Sequence, residues 1–348
     1  MSSPTAETVV KQTAVVRPTL RVRRARFARA HPMLWMLASR LVIGAFTIVA
    51  VAAIVYFATT VLPGNAAVAT LGQNATPERV AALEKRLHLD EPVLTRFSGW
   101  VTLAVQGRFG TSLVNGKDVV EYVAPKLVNS AVLVAITSVI AAIVGLGSGA
   151  LAALRRDKPV DHVTSVAALV ASSLPEYVVA VFMVILFAVN VFQWFPAVSV
   201  LPPGTWPWEQ PEKLVLPVLS LLIVVVPYIM RMTRAATIEA LESEYVQMAR
   251  LKGAPGWRVV MLHAFPNALA PAIQVVALNV LYLAGGIVLI EMVFAYPGIG
   301  AALVSAVLTR DIPVVQFIAL VLALVYVIVN IVTDALVLLV TPRRRLPR

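Results

Sequence analysis

Apolar residues run through this chain in long unbroken stretches, without the alternating or three-to-four-residue rhythm of water-soluble elements. Residues 41–62 form the first stretch, ended by Pro63-Gly64, and residues 127–154 the second, with no charged residue at all. A third covers 162–192 and is interrupted by Pro175 and Glu176. A fourth, 214–230, is short, carries Pro217 and Pro227, and is closed by Lys213 and Arg231. The fifth is 268–290, and the sixth 312–333, extending to about 340. A spanning helix needs about 20 apolar residues at ~1.5 Å rise against a ~30 Å hydrocarbon core. The pattern therefore predicts an all-α integral membrane protein of six transmembrane helices, with both chain ends on one side.

The charges set the direction. The first tail carries Arg21, Arg23, Arg24, Arg26, Arg29 and Arg40, and the second-to-third loop carries Arg155, Arg156 and Lys158. The fourth-to-fifth loop has Arg231, Arg234, Arg250, Lys252 and Arg258, and the chain ends with Arg343, Arg344, Arg345 and Arg348. All four segments fall on one face of a six-span chain, and short basic loops stay cytoplasmic, which predicts N-in, C-in. The other loops are poorer in net charge, with Lys213 beside Glu209 and Glu212, and Arg310 beside Asp311. An apolar run of this length exceeds the ~7–15-residue core of a signal peptide, so a cleaved leader ending near Ala67-Val68-Ala69 is not favoured. Thr76-Pro77-Glu78 predicts a capped helix over 79–89 inside the long loop.

Composition agrees with the membrane class: 59% hydrophobic and 14% charged residues, mean hydropathy +0.84, and a net charge of +11. A soluble domain carries roughly 25% charged residues. Cysteine is absent, so no disulfide, thiolate metal site or cysteine nucleophile exists. The arginine-rich first 30 residues lack an apolar period and read as a disordered or lipid-associated tail, with no folded face for nucleic acid.

The stretch 231–266 carries the strongest functional signal. Residues 239–252 are rich in helix formers, and Tyr245, Met248 and Ala249 share one face. Gly253 then Pro255 predicts a helix stop with the glycine in the left-handed C′ position. A short helix over 257–263 follows, with Pro266 expected to break it before the fifth span. A simple connector needs only about 2–8 residues, so this length argues for a docking element that lays an apolar face into a partner.

This segment resembles the signature loop of bacterial ABC-importer permeases: EAA, three residues, G, nine residues, I-x-L-P. Gln247-Met248-Ala249 stand at the EAA positions, Gly253 at the glycine, and His263-Ala264-Phe265-Pro266 at the end, the first two positions and the isoleucine departing from the generic pattern. The departures fit the oligopeptide/dipeptide branch, which reads YVxxAxxKG then HAxxNAxxP: here Tyr245-Val246, Ala249, Lys252-Gly253, then His263-Ala264, Asn267-Ala268 and Pro271. Gly107-Arg108-Phe109-Gly110-Thr111-Ser112 is similar to that family's GDxGxS, and Glu291, Phe294 and Pro297-Gly298-Ile299-Gly300 to its ExxFxxPGxG. Arg310-Asp311, Pro313 to Gln316, Asn330, Asp334 and Pro342-Arg343 resemble its closing segment. Pro63-Gly64-Asn65-Ala66 departs from the family's PGDP, and the basic N-terminal extension has no counterpart in the pattern.

The resemblance implies a type I permease fold in the bacterial plasma membrane. Its parts are a basic cytoplasmic tail (1–40), a first transmembrane helix (41–62), an extracytoplasmic loop domain (63–126), a five-helix core (127–340) containing the coupling loop 231–266, and a basic tail (341–348). It implies a second homologous permease subunit, one or two cytoplasmic ATPase subunits, an external substrate-binding protein, and a cargo of di- or oligopeptides or a related solute such as nickel or glutathione. No G-x-x-x-x-G-K-[ST] loop is present, so no catalytic residue, metal or cofactor is assigned to this chain, and ATP and magnesium belong to the ATPase. Tyr245, Ala249, Arg250, Lys252, Gly253, His263, Pro266 and Asn267 are the expected coupling residues. Glu176, Asn279 and Glu291 are candidates for the pathway. For Glu176, contact with a cargo amine, pairing across a subunit interface, and a protonated structural role all remain open. Asn279, Asn330 and Asp334 also suit helix packing, and Gly145, Gly147 and Gly149 close helix approach. A secondary transporter, the rival class, would carry an internal repeat and several intramembrane ion ligands.

Overall fold

The computed structural model describes residues 32–61, 76–78, 80–81, 92–202 and 204–340. The arginine-rich tail before residue 32, the 63–66 turn, most of the helix expected over 79–89, and the basic end after 340 lie outside them. Among the described residues every element is helical, apart from one isolated bridge between Thr111 and Asp118.

Helix α1 is Pro32–Val61. It begins before the apolar run because Arg40 does not end it: the guanidinium pairs with Asp334 on the last helix. Helix α2, Val93–Val105, turns Phe97 and Trp100 onto Tyr56 and Phe57 of α1, with ring centroids 5.2–5.5 Å apart. Helix α3, Val119–Leu154, starts ahead of the expected 127. Asp118 caps it, its carboxylate accepting from the Val120 and Glu121 amides at 2.8 and 3.2 Å.

The third apolar stretch is two helices, α4 (Pro159–Ser172) and α5 (Glu176–Val184, continuing as a π-helix over Ile185–Asn190). They meet at 98°. The break is written locally. Ser172 and Ser173 donate their hydroxyls to the Ala168 and Leu169 carbonyls, Pro175 has no amide to give, and Leu174 before it is pushed out of the helical region.

Helix α6, Glu212–Glu242, corrects the expected short fourth span: it runs on through Arg231 and Arg234 for 31 residues. Helix α7 is Glu244–Leu251. One turn at Gly256–Arg258 and a π-helix over Val259–Ala264 lead without interruption into α8, Phe265–Gly286. Pro266 does not break the chain: the helix passes through it where the π-helix over Val259–Ala264 meets α8, so the regular i→i−4 ladder is already shifted at the point where its amide is missing. Two further helices, α9 (Val288–Val293) and α10 (Ile299–Leu308), precede the last, α11 (Ile312–Val340).

Five of these helices are long and apolar enough to cross a membrane, and α4 with α5 supplies a sixth crossing if the bent pair is one span. The central member is α6, whose most apolar window is 56% buried against 17–28% for the other four. It packs along α3 through two glycines. A Cβ at Gly145 would lie 2.6 Å from the Ile229 side chain, and one at Gly149 2.5 Å from the Met230 carbonyl oxygen. Gly147, expected to share this role, faces open space. Leu133, Leu221, Val225, Ile229, Leu283 and Ile290 form the core around this contact. Helix α1 packs against α11, where Gly44 admits Val327.

Candidate functional site

At the basic end of the bundle the chain builds an arm. Helix α7 is closed by a paired glycine cap: Gly253 has φ +77°, its amide donates to Arg250 O at 2.9 Å, and the Ala254 amide to Ala249 O at 3.2 Å. The helix stop expected at Gly253 is thus present. A Cβ there would touch nothing, so the requirement is conformational and not one of space.

The arm rests on one small apolar cluster, in which Val246, Val259, Ala264, Ala268 and Ala240 are buried and Ala249 packs against them. Ala249, half-buried, thus packs toward the arm's own interior. The opposite face of α7 is bare: Tyr245, Met248 and Leu251 are exposed, Leu251 at 83%. Trp257, Met261 and Leu262 are exposed beyond the cap. Arg250, Lys252 and Asn267 are exposed too, and Pro266 is half-buried. Residue 263 lies in the π-helix that leads into α8.

Ion pairs at the foot of the arm tie the end of α6 to its neighbours. Asp161, 2% exposed on α4, accepts from Arg234 Nε at 2.6 Å and Nη2 at 2.7 Å, a two-pronged bond across to α6. The Asp157 amide also donates to Asp161, at 3.1 Å. Arg156 pairs with Glu242 at the end of α6. A recess of about 300 Å³ lies beside that pair, bordered by Leu154, Ile238, Val260 and Arg250. Sequence reasoning counted Arg156 and Arg234 only as loop charges and passed over Asp161. The available signal was a second acid, after Asp157, in the short basic segment of Arg155, Arg156 and Lys158.

The opposite end is closed by two buried carboxylates. Glu291 is fully buried; it accepts from the Ser130 hydroxyl and from the Ala301 amide at 2.9 Å. Ser130 accepts in turn from the Ile299 amide at 2.8 Å. Asn129 donates to Pro297 O and Tyr296 to Asn129 O, both at 2.8 Å. A Cβ on Gly298 would fall 2.0 Å from the Glu291 carboxylate, and one on Gly300 3.0 Å from it. The E-F-PGxG spacing is therefore the outline of one clamp: acid, buried Phe294, and two glycines that leave the acid its room. Asp311 does the same for the Gly107–Ser112 turn, accepting from the Ser112 hydroxyl and from the Leu113 amide at 3.0 Å.

Of the three pathway candidates, Glu291 reaches no open surface in this chain. Asn279 is buried, its side-chain amide bonded to Val275 O within α8. Glu176 alone is partly open. It sits at the start of α5, on the break in the third apolar stretch, and accepts from the Tyr282 hydroxyl of α8 at 2.9 Å. The structure does not bring Glu176, Asn279 and Glu291 to one point.

Residues 145–346 match the family described as binding-protein-dependent transport system inner membrane component, and residues 33–138 match its N-terminal companion. A putative peptide transport system permease of Brucella abortus is 34% identical over 295 residues, 85% of this chain and 94% of that one. The dipeptide transport system permease of Alkalihalophilus pseudofirmus is 32% identical over 302 residues, 81% of this chain and 90% of that one. The glutathione transport system permease of Shigella flexneri is 31% identical over 299 residues, 86% of this chain and 95% of that one.

Proposed function

The chain belongs to the family of binding-protein-dependent inner membrane transport components, the permeases of ABC importers, and on that premise we propose that it forms half of a translocation pathway for di- or oligopeptides. The proposed topology is six spans, N-in and C-in, with α4 and α5 as one broken span. The 63–126 segment then faces a substrate-binding protein, and the 231–266 arm enters the cytoplasm. A second, homologous permease completes the pathway. One or two ATPase subunits bind ATP and magnesium and drive the cycle, and this chain carries no cofactor of its own.

The observation that carries the coupling role is the bare face of α7. Tyr245, Met248 and Leu251 are exposed on a helix whose other side is packed, beside a capped turn that holds its direction. An exposed apolar face on a soluble arm favours a partner's groove. Arg250 and Lys252 lie at its rim, where charge steers the encounter and sets register more than it adds affinity. Motion of the ATPase then reaches α6 directly through Ser243, and passes from α6 to α4 and the turn before it through the Asp161–Arg234 and Arg156–Glu242 bonds. Glu176 is the pathway residue in this reading.

The peptide assignment draws on the relatives named for peptides and dipeptides, with the glutathione-named relative as the competing cargo. The test is ATP-driven uptake in proteoliposomes containing the complete importer, with labelled dialanine and labelled glutathione in competition. Dialanine accumulation that depends on ATP supports the reading. Transport by this chain alone without ATP would return it to the secondary-transporter class.

A further inference from the structure

We propose that Glu176 and Tyr282 form a cation-binding site at the break of the third span, which holds the ammonium group of the cargo. The inference rests on the pathway reading above and adds the chemistry of one point along it.

The two side chains come from different helices, α5 and α8, and meet because α4 and α5 are bent apart by 98° between them. Straightened, the third span would carry Glu176 on an unbroken apolar helix. Bent, it places the carboxylate at the free first turn of α5, where the helix dipole favours a negative group. Tyr282 donates to Oε2 at 2.9 Å, and no ion pair reaches Glu176 among the described residues. Oε1 faces Gly286, where a Cβ would stand 3.9 Å away.

The surroundings are apolar and open. Tyr282 and Tyr177 are each 49% exposed, and Leu278, one turn before Tyr282, is 56% exposed. The contrast is with Glu291 and Asp311, whose oxygens are occupied by hydroxyl and amide donors from the same chain. A carboxylate at membrane depth is costly unless it faces water or a cation. Glu176 has one neutral donor and an open side, which is the arrangement of a site that takes its counter-charge from outside. A peptide's α-ammonium supplies one positive charge and N–H donors, complementary to Oε1 and the half-exposed ring of Tyr282.

This chain has no cysteine, so one introduced thiol can be followed on it, by mass spectrometry of this subunit, in the assembled importer. Gly286→Cys places a thiol beside the carboxylate with ordinary contacts, since its Cβ would sit 3.7 Å from Tyr282 and 3.9 Å from Glu176. Its labelling is timed with a trimethylammonium and a sulfonate methanethiosulfonate, each rate divided by that for a small free thiol. The expected preference for the cation is about tenfold or more, the size of a unit charge acting over several ångströms in a partly polar site. Adding Glu176→Gln should abolish that preference and lower dialanine uptake about tenfold, with the ATPase still bound as the check on folding. Failure of both reagents to label would overturn the site, meaning that a partner subunit or lipid seals it. A preference untouched by Glu176→Gln, or unchanged dialanine uptake in that variant, would overturn it as well. Loss of ATP-driven uptake in the Gly286→Cys parent and in the unsubstituted importer alike would defeat the importer reading instead, and the labelling ratio would then judge the cation site alone.

Discussion

Glu291 and Tyr245 sit at opposite ends of the bundle and in opposite circumstances. Around Glu291 the chain supplies everything the carboxylate needs: a hydroxyl from α3, an amide from α10, and glycines that keep Cβ atoms away. Around Tyr245 it supplies a support and leaves the face empty, with Met248 and Leu251 exposed beside it. Both regions carry family-type motifs containing glycine, yet the glycines do different work. Gly298 and Gly300 make space inside a closed clamp, while Gly253 bends the backbone where space is not short. A motif at the closed end is a requirement of this chain's own folding. A motif at the open end is, under the function proposed above, half of an interface whose other half is another protein.

Substitutions at the two ends should separate accordingly, ranked here by their effect on the chain's own stability. Glu291→Ala leaves the Ser130 hydroxyl and the Ala301 amide buried without an acceptor, an expected loss of about 3 kcal/mol or more. Thermal unfolding of the purified permease in detergent would read it, and an unmoved midpoint with lost transport would place Glu291 in the pathway instead. Gly298→Ala drives a methyl into the same carboxylate and should cost about 1–3 kcal/mol by that assay. Gly253→Val forces a branched residue into φ +77°, about 1–2 kcal/mol confined to the arm. Its larger expected consequence is loss of the ATPase from the tagged permease on co-purification, at a nearly unchanged unfolding midpoint. Met248→Asp with Leu251→Asp should shift stability by less than about 0.5 kcal/mol, because both side chains already face outward. The same pair should abolish ATPase retention, and retention at the unsubstituted level would remove α7 from the interface.

Much of the fold was legible because lipid imposes a simple rule on sequence. The stretches at 127–154 and 312–333 announced α3 and α11 through length and apolarity alone, and Gly253 announced the end of α7. Boundaries were misread wherever a charge was taken as a stop. Arg40 lies inside α1, where Asp334 meets it, and Arg231 lies inside α6, which runs on past it to Arg234 and its partner Asp161. Those partners are remote in sequence, so no local window could show them. Pro266 was misread for a local reason: the π-helix just before it shifts the hydrogen-bond ladder, so the helix carries the proline without ending.

For the candidate site the division is similar. The sequence by itself determined that this is an all-α membrane protein, where its apolar helices fall, and which loop bears the importer signature, because hydrophobic length and turn chemistry are local properties. Only the tertiary structure decided which motif residues turn inward and which outward: Ala249 and Glu291 in, Tyr245 and Leu251 out. It alone brought Tyr282 to Glu176 across 106 residues and Ser130 to Glu291 across 161. The physical reason is that a hydrogen bond or a steric gap depends on where two distant segments pack, and helix-on-helix packing is set by the whole bundle.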